Sequence, residues 1–194
     1  MSLWKLLTAA YDSSGNSAKV RIDKATSSLQ TIDYAHHEVH GGSTFMYAQA
    51  PDLAINNVRD IQITTPNTTK WAHLTVEVAT ESETDVYFYE NVTINTAGTA
   101  DTIRNMNRNS ATTTTLTIKR IDNTSLANAN ADTAVAGANT LWRQIIGAGK
   151  NSGSFNHDTE MVLKQNEDYC LRFIANAAGY VNYFLRWYEH TDHN

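Results

Sequence analysis

The sequence predicts an all-β protein: a two-sheet β-sandwich, jelly-roll-like, with long Asn/Thr/Ala-rich loops and a short N-terminal arm. Three observations carry this expectation. Threonine, asparagine and β-branched residues dominate, runs of Leu, Glu and Lys at helical spacing are missing, and several segments alternate apolar and polar residues with period two. A chain of 194 residues suits one domain with a generous core, so we place an arm and linker at 1–17 and a single sandwich at 18–194.

Taken in order, "MSLWKLLTAA" sets Leu3, Trp4, Leu6 and Leu7 ahead of the polar linker "YDSSGNS". Such an arm packs on its own domain or, because the linker gives it reach, on a neighbouring subunit. It is too short to span a membrane, and its lysine lies inside the apolar stretch rather than before it, unlike a signal peptide. Strands are expected at "AKVRIDK", "STFMYAQ" and "VRDIQITT". The clearest alternation is "WAHLTVEVAT", with Ala72, Leu74, Val76 and Val78 on one face and Trp71, His73, Thr75 and Glu77 on the other. After "ESET", "DVYFYENV" opposes Val86 and Phe88 to Tyr87 and Tyr89, and the two segments are expected to pair as a hairpin. From about 95 to 140 the composition turns to Asn, Ala and Thr around one strand, "TLTIKRI", which reads as long loops decorating one end. "TLWRQII" and "EMVLKQ" follow, with the loop "IGAGKNSGS" between them. In "YCLRFIANAAGYVNYFLRWYEH" a second hairpin is expected: Leu171 and Phe173 form one apolar row, "NAAG" turns, and Val181, Tyr183, Leu185 and Trp187 form the next.

A net charge of −5 with scattered Lys and Arg argues against a nucleic-acid footprint, which gathers basic residues on one face. The single cysteine, Cys170, sits in an apolar run and reads as a buried, inert thiol. The N-x-S/T triplets at Asn67, Asn91 and Asn123 arise readily by chance in a chain rich in both residues and carry no weight.

Only "HHEVH", residues 36–40, looks like chemistry. A zinc-protease motif needs H-E-x-x-H, and His37-Glu38-Val39-His40 is one residue short of it. No two histidines stand two apart with a carboxylate soon after, as a cupin site requires. On a strand, His36, Glu38 and His40 share a face, but the outer two are then about 13 Å apart, too far for one cation. They stand as weak metal candidates, and no metal or other cofactor is expected. The ordinary reading gives His36, His37 and His40 hydrogen bonds in a subunit contact or at a strand edge. Catalytic templates fail elsewhere: Asn151 follows Gly149-Lys150 where a phosphate loop needs Ser or Thr, there is no G-x-S-x-G, and the pairs Asp158/Glu160 and Glu81/Glu83 read as solvated charge in polar connections. Trp142, Tyr87, Tyr89 and Tyr183 offer stacking surfaces for a carbohydrate if they are exposed, although aromatics in alternating strands more often serve core or interface.

"TIDYAHHEVHGGSTF", "DLAINNVRDIQITTPNTTKWAHLTVEV" and "LKQNEDYCLRFIANAAGYVNYFLRWYEH" resemble small virion structural proteins of tailed bacteriophages, over most of residues 23 to 190. The resemblance implies a capsid decoration or cement protein, β-rich and trimeric, with no active site to carry over. It implies a virion location on the capsid exterior, assembly in the bacterial cytoplasm, and the major capsid protein as partner. Leu3, Trp4, Leu6, Leu7, His36, His37 and His40 are then the expected interface residues, with neither nucleic acid nor membrane as partner. The alternative is a tail- or head-associated receptor- or carbohydrate-binding module.

Overall fold

The computed structural model describes residues 9–11, 17–19, 34–147 and 153–191. The chain divides into two compact units, Met1–His37 and Glu38–Asn194. In the first, β1 (Ala9–Tyr11) and β2 (Ser17–Lys19) pair antiparallel. Only the start of the expected strand "AKVRIDK" falls there, and Leu3, Trp4, Leu6 and Leu7 lie outside the described residues.

After α1 (Tyr34–Gly41), the larger unit contains β3 (Thr44–Gln49), β4 (Asp52–Leu53), β5 (Val58–Thr64), β6 (Trp71–Thr80) and β7 (Thr84–Glu90). An insertion follows, with β8 (Thr93–Ile94), β9 (Thr99–Ala100), β10 (Arg104–Asn105), β11 (Thr117–Asn123), α2 (Leu126–Asp132) and β12 (Thr133–Ala134). The chain then forms β13 (Asn139–Ile146), β14 (Gly153–Val162), β15 (Asp168–Ala175) and β16 (Gly179–His190). One sheet runs β10-β3-β16-β6-β14, with β4 also on β16, and the other β13-β7-β15-β5-β11-β9; every pairing is antiparallel. The long pairings are nested, β3 with β16, β5 with β15, β6 with β14 and β7 with β13, which is the jelly-roll way of folding a sheet over on itself.

The apolar rows read from the sequence face one core. Leu74, Val76 and Val78 of β6 and Val181, Tyr183, Leu185 and Trp187 of β16 meet Ile61 and Ile63 of β5, Val86 and Phe88 of β7, and Leu171 and Phe173 of β15. Across the interface the Phe173 and Tyr183 rings stack at 5.0 Å.

Both expected hairpins are corrected. β6 and β7 lie in different sheets, as do β15 and β16. Alternation requires an apolar row to face the core, and strands from opposite sheets satisfy that as well as partners within one sheet. The polar links after β6 and β15 are crossovers that satisfy each other's backbone: the Asn176 and Ala177 amides donate to the Glu83 carbonyl (3.0 and 3.2 Å), the Glu81 amide donates to Tyr180 O (2.9 Å), and Ser82 Oγ donates to Ala178 O (2.7 Å). Gly147 borders the same corner with φ +74°, where a Cβ would stand 2.7 Å from the Ser82 carbonyl oxygen. "EMVLKQ" also moves: β14 starts earlier, at Gly153, and ends at Val162, so Asp158 and Glu160 belong to a strand rather than a connection.

The insertion is more ordered than loops. It adds β10 to the outer edge of β3 and β11 to that of β5, so one side of the sandwich is capped in both sheets. Ser125 caps α2 by accepting the Asn128 amide at 3.3 Å. Arg172 and Gln62, on the outward rows of β15 and β5, hold the insertion down. The Arg172 guanidinium donates to the carbonyls of Ala129 and Thr133 and to Asn130 Oδ1; Gln62 donates to Thr96 O and Thr133 Oγ1 and accepts from the Gly98 amide.

At the end of β7, buried Glu90 accepts from Lys164 Nζ (2.6 Å) and Tyr169 Oη (3.2 Å). Burial alone raises its pKa, but the hydrogen bond and charge of Lys164, with Tyr169 and Asn139, outweigh it and hold the carboxyl below its ordinary 4.5. A depressed carboxyl contributes stability that is fully present above the ordinary value and lost as pH falls through the lowered one. Urea unfolding from about pH 7 to about pH 3 is therefore expected to show wild type losing more stability below about pH 4.5 than Glu90→Gln. Parallel pH profiles would remove Glu90 as a source of acid sensitivity.

Candidate functional site

The sequence candidate "HHEVH" lies on helix α1, not on a strand. Gly42 ends the helix at φ +75°, and Asn107 Nδ2 donates to the His40 carbonyl at 3.0 Å. The helix replaces the 13 Å strand spacing, because residues four apart such as His36 and His40 are neighbours along one helical face. Glu38, two positions from each, turns inward: it is 8 % exposed, and its carboxylate and backbone carbonyl both accept from the Ser43 hydroxyl. His36, His37 and His40 are exposed. Among the described residues no group of three His, Cys, Asp or Glu side chains is arranged to hold a metal.

The aromatic candidates separate. Tyr183 is buried and bonded to Arg59 and Gln49, and Trp142 packs against the core beside Phe88 at 5.9 Å. Tyr183 therefore presents no stacking face, and Trp142 is half-buried with its ring against the core. Tyr87 and Tyr89 stay half-buried on the outer face of the second sheet, stacked at 5.4 Å, with the Arg143 guanidinium 5.1 Å from the Tyr87 ring centre and ion-paired to Asp85 at 3.1 Å. Burial pushes the Tyr89 phenol up to about 12, so it remains a neutral hydroxyl. Beside them β13 forms the outer edge of the sheet, with Leu141 42 % and Ile145 45 % exposed.

Further along that face, Thr64, Gln62, Lys119 and Asp168 line a cleft of about 260 Å³. Gln62 is committed to the insertion, and Thr64 Oγ1 donates to Asp168 Oδ1 at 2.6 Å. The cleft is smaller than an ordinary ligand pocket, and Gln62, Thr64 and Asp168 already have partners. Cys170, on the same outward row, is fully buried, which raises its thiol pKa well above the ordinary range and keeps it a thiol.

The outer face of the first sheet carries the densest chemistry, and sequence reasoning missed it. His73 on β6 lies opposite Tyr188 on β16, and Trp71 opposite His190. A register shift in β14 between His157 and Met161 sets Glu160 beside them. His73 Nδ1 is 3.1 Å from Glu160 Oε1, the Tyr188 hydroxyl donates to the same carboxylate at 2.8 Å, and the Nε2 atoms of His73 and His190 are 2.8 Å apart. His73 also stacks on Tyr188 at 4.5 Å.

No family model, curated protein or solved structure matches the chain. No helix among the described residues is long and apolar enough to cross a membrane.

Proposed function

We propose that the chain is a non-enzymatic structural protein that attaches to the outside of a tailed-phage capsid and strengthens it by bridging capsid subunits. The observation that carries an attachment role is the uncapped side of the sandwich. β13 closes the second sheet and β14 the first, and no described strand pairs with either outer edge. Leu141, Ile145 and Val162, on these two strands, are exposed. The opposite side is capped by the chain's own insertion. Free-standing proteins avoid open edges with apolar side chains, and docking on an assembly covers them.

The capsid as that assembly rests on the sequence resemblance, and the exterior position on charge, since a lining that faces packaged DNA is expected to be basic while this chain carries −5. The major capsid protein is the partner, with homotrimers as the attached form. Leu3, Trp4, Leu6 and Leu7 supply a second anchor. A protein that binds only the assembled lattice stabilises it by mass action.

Particles assembled with the chain are expected to rupture at a higher temperature than particles without it. Leu141→Asp/Ile145→Asp should weaken attachment at least about tenfold while the chain stays folded, and deletion of residues 1–10 should also weaken it. Equal rupture temperatures remove the cement role. Label confined to tails, or glycan-array binding lost in Tyr87→Ala, moves the chain to the receptor- or carbohydrate-binding alternative.

A further inference from the structure

We infer that His73 and His190 form a site for one divalent first-row transition cation, of the Zn2+ class, on the outer face of the first sheet. Both histidines stand on neighbouring strands of one sheet, β6 and β16, on a diagonal of their register. Their rings are 4.6 Å apart and their Nε2 atoms 2.8 Å apart. Two Zn–N bonds of about 2.1 Å at a tetrahedral angle need nitrogens about 3.4 Å apart. A few tenths of an ångström of movement in each imidazole opens that distance, which a small ring rotation supplies. Without a cation one hydrogen joins the two nitrogens; a cation replaces it and the proton leaves to solvent.

The supporting shell points the same way. A carboxylate only accepts, so His73 Nδ1–H donates to Glu160, and the lone pair of His73 falls on Nε2, toward His190. Tyr188 fixes Glu160 by donating to it and fixes His73 by stacking on it. A carboxylate on the far nitrogen of a histidine, itself held by a further hydrogen bond, is the arrangement that orients metal-ligating imidazoles and raises their basicity. Two imidazoles favour Zn2+, Ni2+ or Cu2+ over Mg2+ or Ca2+, which take oxygen ligands. Because no third described His, Cys, Asp or Glu completes a ligand set, water or a donor from a docked partner fills the remaining positions. The assignment uses no residue of α1 and does not depend on the capsid assignment.

Equilibrium dialysis of the tag-free full chain against Zn2+ alone tests it. Wild type should take up close to one Zn2+ per chain, unaffected by excess Mg2+. His73→Ala and His190→Ala should each lose this uptake, and Glu160→Gln should weaken it by about 10- to 100-fold, with circular dichroism confirming that each variant is folded. His190 ends its strand, so its variant keeps the test sound if His73→Ala fails to fold. His36→Ala/His40→Ala should bind as wild type. No uptake at millimolar Zn2+, uptake unchanged in both single-histidine variants, uptake lost in His36→Ala/His40→Ala, or displacement by Mg2+ would each overturn the assignment.

Discussion

Asp60→Ala is expected to cost about 3–5 kcal/mol of folding stability, the range for removing one partner of a buried ion pair. Asp60 is 0 % and Arg172 1 % exposed, and the two meet as parallel forks, Nε to Oδ1 and the second guanidinium nitrogen to Oδ2, both at 2.7 Å. Burial works against the guanidinium charge, but the hydrogen bonds and charge of Asp60 outweigh it and raise the Arg172 pKa further. The same burial pushes the Asp60 carboxyl upward against the pull of Arg172. Since a guanidinium does not lose its proton in a protein, the fork geometry identifies the ionised pair as the working state. Without Asp60 the charge stays buried and uncompensated, and α2 loses the rigid base of the donors that hold its C-terminal carbonyls.

The loss should appear as a lower urea midpoint, and hydrogen exchange should show the amides of Leu126–Asp132 opening before the sandwich strands. Asp60→Leu/Arg172→Met should recover much of the sandwich stability while α2 stays loosened, because an apolar pair fills the space but cannot bond the Ala129 and Thr133 carbonyls. A cost below about 1 kcal/mol for Asp60→Ala would show that the pair is not what holds the insertion.

The apolar rows were legible because period two states which side chains face inward, and those on β6, β7, β15 and β16 face the core as expected. Strand partners were not legible. "ESET" and "NAAG" suit a hairpin and a crossover alike, and what decides between them is the mutual bonding of the two links, which are nearly 100 residues apart in sequence. Arg172 reads as a solvated residue between Leu171 and Phe173, and only the cover supplied by α2 buries it. That helix was itself hidden, since "LANANAD" is rich in Asn and its sole sequence signal is Ser125 just before it. The chemistry was misplaced for a related reason. "HHEVH" is conspicuous because its histidines are adjacent in sequence, whereas His73 and His190 are 117 positions apart and meet only through the β6–β16 pairing. The signal available was the pair of outward rows, Trp71 and His73 on one strand and Tyr188 and His190 on another, which says nothing until the strands are known to be neighbours.

Trp187→Ala is expected to lose about 3–5 kcal/mol, the usual cost of emptying a buried aromatic site. Trp187 is fully buried, with its ring 6.0 Å from Phe45. Its indole N–H donates to Glu189 Oε1 at 3.1 Å and to Thr114 Oγ1 at 3.2 Å. Glu189 continues the same inward row, two residues on, and is buried at the end of the core. The insertion makes that burial tolerable: the Thr115 amide donates to both carboxylate oxygens at 3.0 and 2.9 Å, and the Thr114 hydroxyl adds a close hydrogen bond. The tryptophan thus fills the core and also ties the irregular segment leading into β11 to the end of β16. Trp187→Phe separates the two roles, since it keeps most of the apolar volume and removes the donor; a cost of about 1 kcal/mol is expected, because the carboxylate retains its other partners. A double-mutant cycle of Trp187→Phe with Glu189→Gln, read from urea unfolding, should give a coupling of at least about 0.5 kcal/mol. Additive losses would mean that the indole contributes volume alone and that Thr114 and Thr115 hold the carboxylate without it.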